Sequence, residues 1–386
     1  MNVPISLINK LAERKAANAY RRLRLPQPGM VDFCSNDYLG IVKNNLLSIA
    51  NSELRMVNDE DLRSNSLSSF NYSLSSLSSG STGSRLLAGN YELIEETESI
   101  IANFHEGKAA LIFNSGYDAN VGLLSSVPQK MDTIIYDSLS HASIRDGIRL
   151  SFAQAYSFPH NDVADLEKKM QHATGTIYVV TESVFSMDGD VCPLQEIVAL
   201  CERYGAYLIV DEAHATGVIG ERGEGLVQQL NLQAKVFARV HTFGKACGCH
   251  GAVVVGSPDL KNYLINFARS FIYSTALPAH AVQFIKDSYL LFPTMANERK
   301  QLLALIQQFQ GAAIKYEKLV SHTPIQVVIV PGNEAVKRMA DTLQQSWLDV
   351  RPILYPTVPK GKERLRIVLH SFNTGEEVER LIAVLK

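Results

Sequence analysis

The chain of 386 residues lacks two features that mark particular classes of protein, a strong excess of basic residues and a long apolar run. Its 37 basic and 39 acidic residues leave a formal net charge of −2, so no overall positive field attracts nucleic acid or an anionic membrane. No apolar run approaches the roughly 20 residues that span a bilayer. We therefore expect neither nucleic acid nor membrane as a partner.

Cysteine is equally sparse. The five cysteines are an odd number without regular spacing, which is typical of reduced thiols in the cytoplasm rather than of a disulfide framework. A short Cys-Gly-Cys-His run at residues 247–250 does not have the spacing of a tetrahedral zinc site, and no second ligand pair follows it. We predict a cytoplasmic protein without a bound metal.

The chain does contain a regular alternation of apolar strands and amphipathic helices. The periodicity predicts a helix over residues 92–104 and strands over residues 109–113, 133–136, 177–181, 207–210, 236–241 and 252–255. Strands that alternate with helices form mostly parallel sheets. The fold class predicted here is therefore α/β.

Three regions are predicted from changes in this pattern. Residues 1–45 form an N-terminal arm with a basic helix over about the first 25 residues, residues 46–276 a large domain, and residues 277–386 a smaller α/β domain with strands at 325–330 and 364–369. Residues 64–82 contain ten serines and scattered apolar side chains, a composition that favours a flexible or ligand-ordered loop.

Lys245 is the first candidate for chemistry. It lies among small residues, between Gly244 and Ala246, directly after an apolar run. A lysine amine becomes a nucleophile for Schiff-base chemistry when partial desolvation or neighbouring positive charge disfavours its ammonium form. Taken alone, the motif is equally consistent with a solvated loop lysine.

Asp211 is the second candidate, because it ends the apolar run of residues 207–210. Ligands bind at the carboxyl ends of parallel strands, and a carboxylate buried there needs a cationic partner to offset its desolvation. A protonated pyridine nitrogen is one such partner. His214 follows on the turn that leaves the strand and can reach the same ligand, although a lone histidine there is more often structural.

Five motifs, taken in order, resemble those of the α-oxoamine synthases. The family depends on pyridoxal 5'-phosphate (PLP) and condenses an amino acid with an acyl-CoA thioester, with loss of carbon dioxide. The match runs from about Arg21 to Arg366, which is nearly the whole chain. The motifs are Ser115-Gly116-Tyr117-Asp118-Ala119-Asn120, Ser140-His141-Ala142-Ser143, Glu182 to Asp190, Asp211-Glu212-Ala213-His214 and Thr242-Phe243-Gly244-Lys245.

The resemblance implies the type I PLP-dependent transferase fold of aspartate aminotransferase, with a mostly parallel seven-stranded sheet, and a homodimer with shared active sites. It implies catalytic roles for Lys245, His141 and Asp211. The residues implied to bind the cofactor are these three together with Gly116, Tyr117, Ser186, His214, Thr242 and Thr275, the last in the other subunit. The residues implied to bind substrate are Arg21, Asn36, Thr357 and Arg366.

The motifs around residues 160–162, 181–190 and 356–359 most resemble the family members that join L-alanine to pimeloyl-CoA, or to its carrier-protein thioester, in biotin synthesis. Many of those members have an arginine directly before the Pro-Thr-Val-Pro motif, where this chain has Leu354-Tyr355. Recognition of a distal acyl carboxylate is therefore open, as are the family members that use glycine or serine.

Two other classes share part of this pattern. An aminotransferase would contain equivalents of Lys245 and Asp211 but would not be expected to contain the serine-histidine-alanine motif at 140–142. A catalytically inactive subunit of a heteromer would typically lack the lysine. The sequence thus favours an active acyltransferase over both alternatives.

Overall fold

The computed structural model of the protein describes residues 3–25, 27–47 and 79–386. Most of the predicted serine-rich loop, residues 64–78, lies outside this part of the chain. The helices are α1 Ile5–Ala16, α2 Glu92–Phe104, α3 Gly116–Ser126, α4 Ala142–Leu150, α5 Val163–Gln171, α6 Leu194–Tyr204, α7 Leu226–Gln229, α8 Pro258–Phe267, α9 Arg269–Ile272, α10 Ala279–Leu291, α11 Ala296–Gly311, α12 Asn333–Gln345 and α13 Gly375–Leu385.

The strands of the described residues form three sheets. Their bounds are β1 Val31–Asp32, β2 Ala109–Phe113, β3 Thr133–Asp137, β4 Gln154–Phe158, β5 Ile177–Glu182, β6 Tyr207–Asp211, β7 Ala238–Thr242, β8 Ala252–Gly256, β9 Ile325–Ile329, β10 Leu348–Asp349, β11 Arg351–Ile353 and β12 Arg364–Val368.

The largest sheet has seven strands in the order β2-β8-β7-β6-β5-β3-β4. β8 pairs antiparallel with both of its neighbours, and the strands from β7 to β4 pair in parallel. The mostly parallel α/β sheet inferred from the sequence is therefore observed. As a result, the carboxyl ends of β5, β6 and β7 meet at one edge, where open α/β sheets bind ligands.

Apolar side chains cover both faces of this sheet. In β6, Ile209 packs into a cluster with Leu123 of α3, whereas its neighbours Leu208 and Val210 pack into a second cluster with Ile197 of α6. Successive strand residues point to opposite faces, so a strand buried on both sides reads as a continuous apolar run. This burial explains why the apolar runs predicted the central strands well.

The chain divides into two compact units. The larger contains residues 39–185 and 191–296, including the seven-stranded sheet, and the smaller contains residues 1–38, 186–190 and 297–386. Within the smaller unit, β11, β12 and β9 form an antiparallel sheet and β1 pairs in parallel with β10. The predicted division used boundaries at 45/46 and 276/277 and did not join the N-terminal residues or 186–190 to the C-terminal unit.

Two features differ from the sequence-based expectation. The N-terminal helix was predicted to about residue 25, but α1 ends at Ala16, because Asn18 adopts a left-handed conformation (φ 51°) and the Ala19 N–H bonds back to the Arg14 carbonyl at 2.8 Å. Strand β4 was not predicted. Four of its five residues are exposed at the edge of the sheet, so no apolar pattern marks it.

Within the part of the chain described, no helix is long and apolar enough to cross a membrane.

A stacked pair of histidines is buried in the larger unit. The rings of His105 and His241 lie 3.7 Å apart at 20° to each other, and both residues are fully buried. His105 bonds to the Glu224 carbonyl at 3.0 Å and to the Tyr289 hydroxyl at 3.1 Å. Burial, with the nearby Arg239 charge, lowers the pKa of both histidines well below the usual value, so both rings are neutral in the folded protein.

This pair makes the folded state sensitive to acid. Below about pH 6.5 the unfolded chain binds protons that the native histidines do not, so the free energy of unfolding falls as the pH falls, by up to about 1.4 kcal/mol per pH unit for each histidine. The substitution His241→Phe keeps an aromatic ring in the stack and removes one titrating group. Urea denaturation between pH 5 and 8 is expected to show a shallower pH dependence in this variant than in the wild type.

The exposed His172 provides the matched control, and His172→Gln is expected to keep the wild-type slope. An unchanged slope in His241→Phe would contradict the assignment of a neutral buried pair.

Candidate active site

Two carboxylates stand side by side at the edge where the parallel strands end. Glu182 is the last residue of β5 and Asp211 the last of β6, and the two are direct partners in the register. Both are buried, with 4% and 7% of their surface exposed. Burial and the neighbouring Asp211 charge raise the pKa of Glu182, whereas the Lys245 charge opposes the shift. The site therefore favours a positive group beside these carboxylates.

Asp211 is held by hydrogen bonds on both of its oxygens. Its Oδ2 accepts from Asn120 Nδ2 at 2.8 Å and its Oδ1 accepts from the Ala213 N–H at 2.9 Å. These donors fix the carboxylate at the end of β6, but they are neutral, so balancing the buried charge requires a nearby cation. A protonated ring nitrogen would supply it.

His141 precedes α4 at the same edge of the sheet. Its backbone N–H donates to Glu182 Oε1 at 2.6 Å, and its Nδ1 lies 2.8 Å from Ser143 Oγ. The residue is exposed overall, yet local desolvation lowers its pKa against the opposing effect of Asp211. His141 therefore presents a neutral imidazole at neutral pH.

The start of α3 and the end of β7 lie next to each other. A Cβ added to Gly116 would stand 3.5 Å from Thr242 Oγ1. Ser115 caps the helix by accepting from the Asp118 N–H, and Thr242 is only partly buried. Backbone N–H groups at a helix start and a nearby hydroxyl together suit a phosphate. Tyr117 is exposed and its hydroxyl donates to Asp146.

Lys245 follows β7 in a loop closed by backbone hydrogen bonds. The Gly248 N–H donates to the Lys245 carbonyl at 2.9 Å, and the Cys249 N–H donates to the Phe243 carbonyl at 2.8 Å. Lys245 is partly exposed, and its charge acts on both His141 and Glu182. The structure thus brings Lys245, His141 and Asp211 into one electrostatic neighbourhood.

Two further predicted residues lie in the same unit. His214 is buried on the turn after β6, with 6% of its surface exposed. Thr275 is exposed, and its carbonyl accepts from Asn114 Nδ2 at 2.7 Å. Ser81 Oγ, which donates to the neighbouring Ala276 carbonyl at 2.6 Å, helps to hold this segment.

The remaining predicted residues lie in the smaller unit, in two groups. Arg366 of β12 donates from Nε to the Ser186 carbonyl at 2.7 Å and from Nη2 to Asn36 Oδ1 at 3.0 Å. Arg21 Nη2 donates to Thr357 Oγ1 at 3.0 Å, and both side chains are exposed. A guanidinium fixed in this way can orient a carboxylate.

Comparison with known proteins places this arrangement in a family. The family model for class I and II aminotransferases matches residues 28–385. The chain belongs to this family.

Among class I and II aminotransferase relatives, an 8-amino-7-oxononanoate synthase from Emericella nidulans is 39% identical over 98% of this chain and 94% of its own length. Two solved structures give the same picture. A variant of serine palmitoyltransferase from S. paucimobilis, with a bound PLP–myriocin aldimine, has a TM-score of 0.84 at 25% identity and covers 98% of this chain and 96% of its own. An 8-amino-7-oxononanoate synthase from Francisella tularensis has a TM-score of 0.74 at 29% identity, covering 93% and 97%.

These similarities confirm the predicted type I PLP-dependent transferase fold and the resemblance to the α-oxoamine synthases. The side chains present also fit PLP on their own geometry. Asp211 is a buried carboxylate, His141 is exposed, the Gly116 and Thr242 pair suits a phosphate, and Lys245 supplies an amine.

Sequence reasoning did not assign three residues that contact this site, Asn120, Ser143 and Glu182. All three lie inside motifs that supported the resemblance, so a signal was present in the chain. Their roles depend on hydrogen bonds between residues far apart in sequence, such as the bond from Asn120 to Asp211, which spacing alone does not reveal.

The substitution Asp211→Asn tests the role of the buried charge. An amide at this position accepts with one oxygen only, so one hydrogen bond and the partner for a cationic ring are both lost. Since a hydrogen bond to a charged group contributes about 1.5–3 kcal/mol, the affinity for PLP is expected to fall by at least about tenfold. Titration of the apoprotein with PLP, followed by absorbance, measures this change.

Asp341, exposed on α12, offers a matched control, and Asp341→Asn is expected to bind PLP like the wild type. Equal affinities in Asp211→Asn and the wild type would contradict the assigned role.

Proposed function

We propose that the protein is an 8-amino-7-oxononanoate synthase that uses PLP. It joins L-alanine to the acyl group of pimeloyl-CoA, or of the carrier-protein thioester, and releases carbon dioxide and the free thiol in biotin synthesis. The observation that supports this function most strongly is the 39% identity to a relative of that name over 98% of the chain. The grouping of Lys245, His141 and Asp211 supplies the chemistry.

PLP, when bound, withdraws electrons from the Cα of the attached amino acid, which no protein side chain does alone. Lys245 would hold the cofactor through its amine and, once released from it, would accept the proton from Cα as general base. Asp211 would keep the ring nitrogen protonated through its buried charge. His214, on the turn after the same strand, would donate to the phenolic oxygen.

The start of α3 would hold the cofactor phosphate. The backbone N–H groups of Gly116 and Tyr117 and the hydroxyl of Thr242 would donate to it, an assignment that the adjacency of Gly116 and Thr242 supports. Thr275 is exposed and is assigned to the phosphate of the second subunit. Ser186 is assigned to the cofactor as a small hydroxyl donor.

His141 would pack on the cofactor ring and donate a hydrogen bond from its neutral ring to the carbonyl oxygen of the thioester. A neutral imidazole suits this task, because it donates a hydrogen bond without the desolvation cost of a charged ring. Its exposed surface in the structure leaves room for such a ligand.

Arg366 orients the substrate carboxylate, with Asn36 as its neighbour. The two hydrogen bonds that fix the guanidinium, to Ser186 and Asn36, reduce the freedom that binding has to remove. Arg21 and Thr357, bonded to each other, are assigned to the acyl substrate.

We propose a homodimer in the cytoplasm. Helix α1 supports the dimer, because it has no buried residue and exposes apolar side chains such as Ile5 and Ile8, at 75% and 52%. A free apolar helix face of this kind is typical of a contact with a second subunit. Exchange of Thr275 between subunits would make each site depend on both chains.

A second candidate is serine palmitoyltransferase activity, because the S. paucimobilis enzyme has the higher TM-score, 0.84 against 0.74. The rates at which different pairs of amino acid and thioester release free thiol distinguish the two activities. With PLP present, L-alanine and pimeloyl-CoA are expected to give a kcat/KM at least about tenfold above L-serine with palmitoyl-CoA or glycine with acetyl-CoA, the order of discrimination that small substrate differences allow.

Conversion of the amino acid to its α-keto acid without thiol release would instead indicate transamination. The proposal fails if L-serine with palmitoyl-CoA is the preferred pair, or if no pair releases thiol.

A further inference from the structure

A chain of hydrogen bonds joins Asp211 to the ring of His141. Asn120 Nδ2 donates to Asp211 Oδ2 at 2.8 Å and to Ser143 Oγ at 3.0 Å. Ser143 Oγ in turn lies 2.8 Å from His141 Nδ1. Asn120 and Ser143 are buried, with 2% and 1% of their surface exposed, so water does not compete for these bonds.

The direction of each bond follows from the group at the Asp211 end. An ionised carboxylate only accepts, so Asn120 must face it with its amino group, which has two N–H donors. One N–H is used by Asp211 and the other by the Ser143 hydroxyl oxygen. The proton of the Ser143 hydroxyl is then directed to His141 Nδ1.

A second donor points at the same nitrogen. The backbone N–H of Ser143 also donates to His141 Nδ1, at 3.3 Å. A backbone N–H cannot accept a hydrogen bond, so Nδ1 must carry a lone pair there. The proton of the neutral ring therefore stands on Nε2, on the side of the ring away from Ser143.

We infer that Asn120 and Ser143 are positioning residues that fix His141 as the tautomer with its proton on Nε2. The inference rests on the proposed function in one respect: the Nε2–H is the donor that His141 offers to the thioester carbonyl oxygen. This chain of hydrogen bonds from Asp211 to His141, called the relay below, makes Nε2 of the ring a hydrogen-bond donor and excludes a lone pair on that nitrogen.

The relay also gives the carboxylate of Asp211 two functions in the site. Asp211 balances a cationic ring nitrogen through its charge, and through Asn120 it orients the only histidine of the serine-histidine-alanine motif. A substitution at Asn120 or Ser143 therefore alters the tautomer of the His141 ring, although neither residue needs to contact the substrate.

The tautomer of His141 is measured directly by NMR. Holoenzyme labelled with 15N-histidine is examined at pH 8, with His141→Gln used to assign the signal. The wild type is expected to show an unprotonated Nδ1 and a protonated Nε2. In Ser143→Ala and Asn120→Ala the two nitrogen shifts are expected to approach each other, because the backbone N–H that remains lies 3.3 Å from Nδ1 and holds the tautomer only weakly, so both tautomers are populated.

Catalysis is expected to follow the tautomer. In Ser143→Ala, kcat/KM for the acyl thioester should fall by about tenfold, the effect of roughly one lost hydrogen bond, while the affinity for PLP stays within about twofold of the wild type. A purely structural role for Ser143 in the first turn of α4 would change stability without moving the nitrogen shifts.

Ser140 is the matched control, because it is a buried serine in the same loop whose Oγ has no hydrogen-bond partner among the described residues. Ser140→Ala is expected to keep both the tautomer and the activity. Unchanged nitrogen shifts in Ser143→Ala would overturn the relay. If instead the wild type releases no thiol with any substrate pair, the proposed function fails, and the nitrogen shifts still decide the relay.

Discussion

The site depends on one buried carboxylate at the end of the central strand β6. Asp211 is buried, with 7% of its surface exposed, so little water solvates its charge and neighbouring groups must compensate it. Asn120 from α3 and the backbone after β6 supply two hydrogen bonds, and a cation completes the balance. The parallel pairing of β5, β6 and β7 brings these elements to the same edge.

The neighbouring carboxylate of Glu182 makes the demand for positive charge stronger. Its pKa is raised by burial and by Asp211, and lowered by Lys245 and by the hydrogen bond from the His141 N–H. Two adjacent carboxylates cannot both ionise freely without a cation between or beside them. The amine of Lys245 and a protonated cofactor ring both answer this requirement, which explains why the lysine loop follows the next strand of the sheet.

Much of the fold could be predicted from the chain because its strands are buried on both faces. β2 and α2 have the bounds that the apolar periodicity indicates, residues 109–113 and 92–104. The exposed edge strand β4 has no such pattern, and α1 ends early because of a left-handed Asn18 that composition does not reveal. Local periodicity reports burial, and it reports little where burial is absent.

The candidate site, like the fold, could be predicted from the sequence only in part. Lys245, Asp211 and His214 could be proposed because each stands at a strand end or on the loop after one, where chain order and topology together fix position. The relay through Asn120 and Ser143 joins residues up to 91 positions apart, and the stack of His105 on His241 spans 136 (241 − 105). Such contacts exist only once the sheet and its helices have packed.

The central claim is that the buried charge of Asp211 and the amine of Lys245 belong to one PLP site. Borohydride reduction of the PLP-loaded protein, followed by peptide mass mapping, tests it most directly, because reduction fixes the cofactor to the amine that binds it. The account predicts that the phosphopyridoxyl mass appears on the peptide that contains Lys245. Its appearance on a different lysine, or on none, would contradict the account.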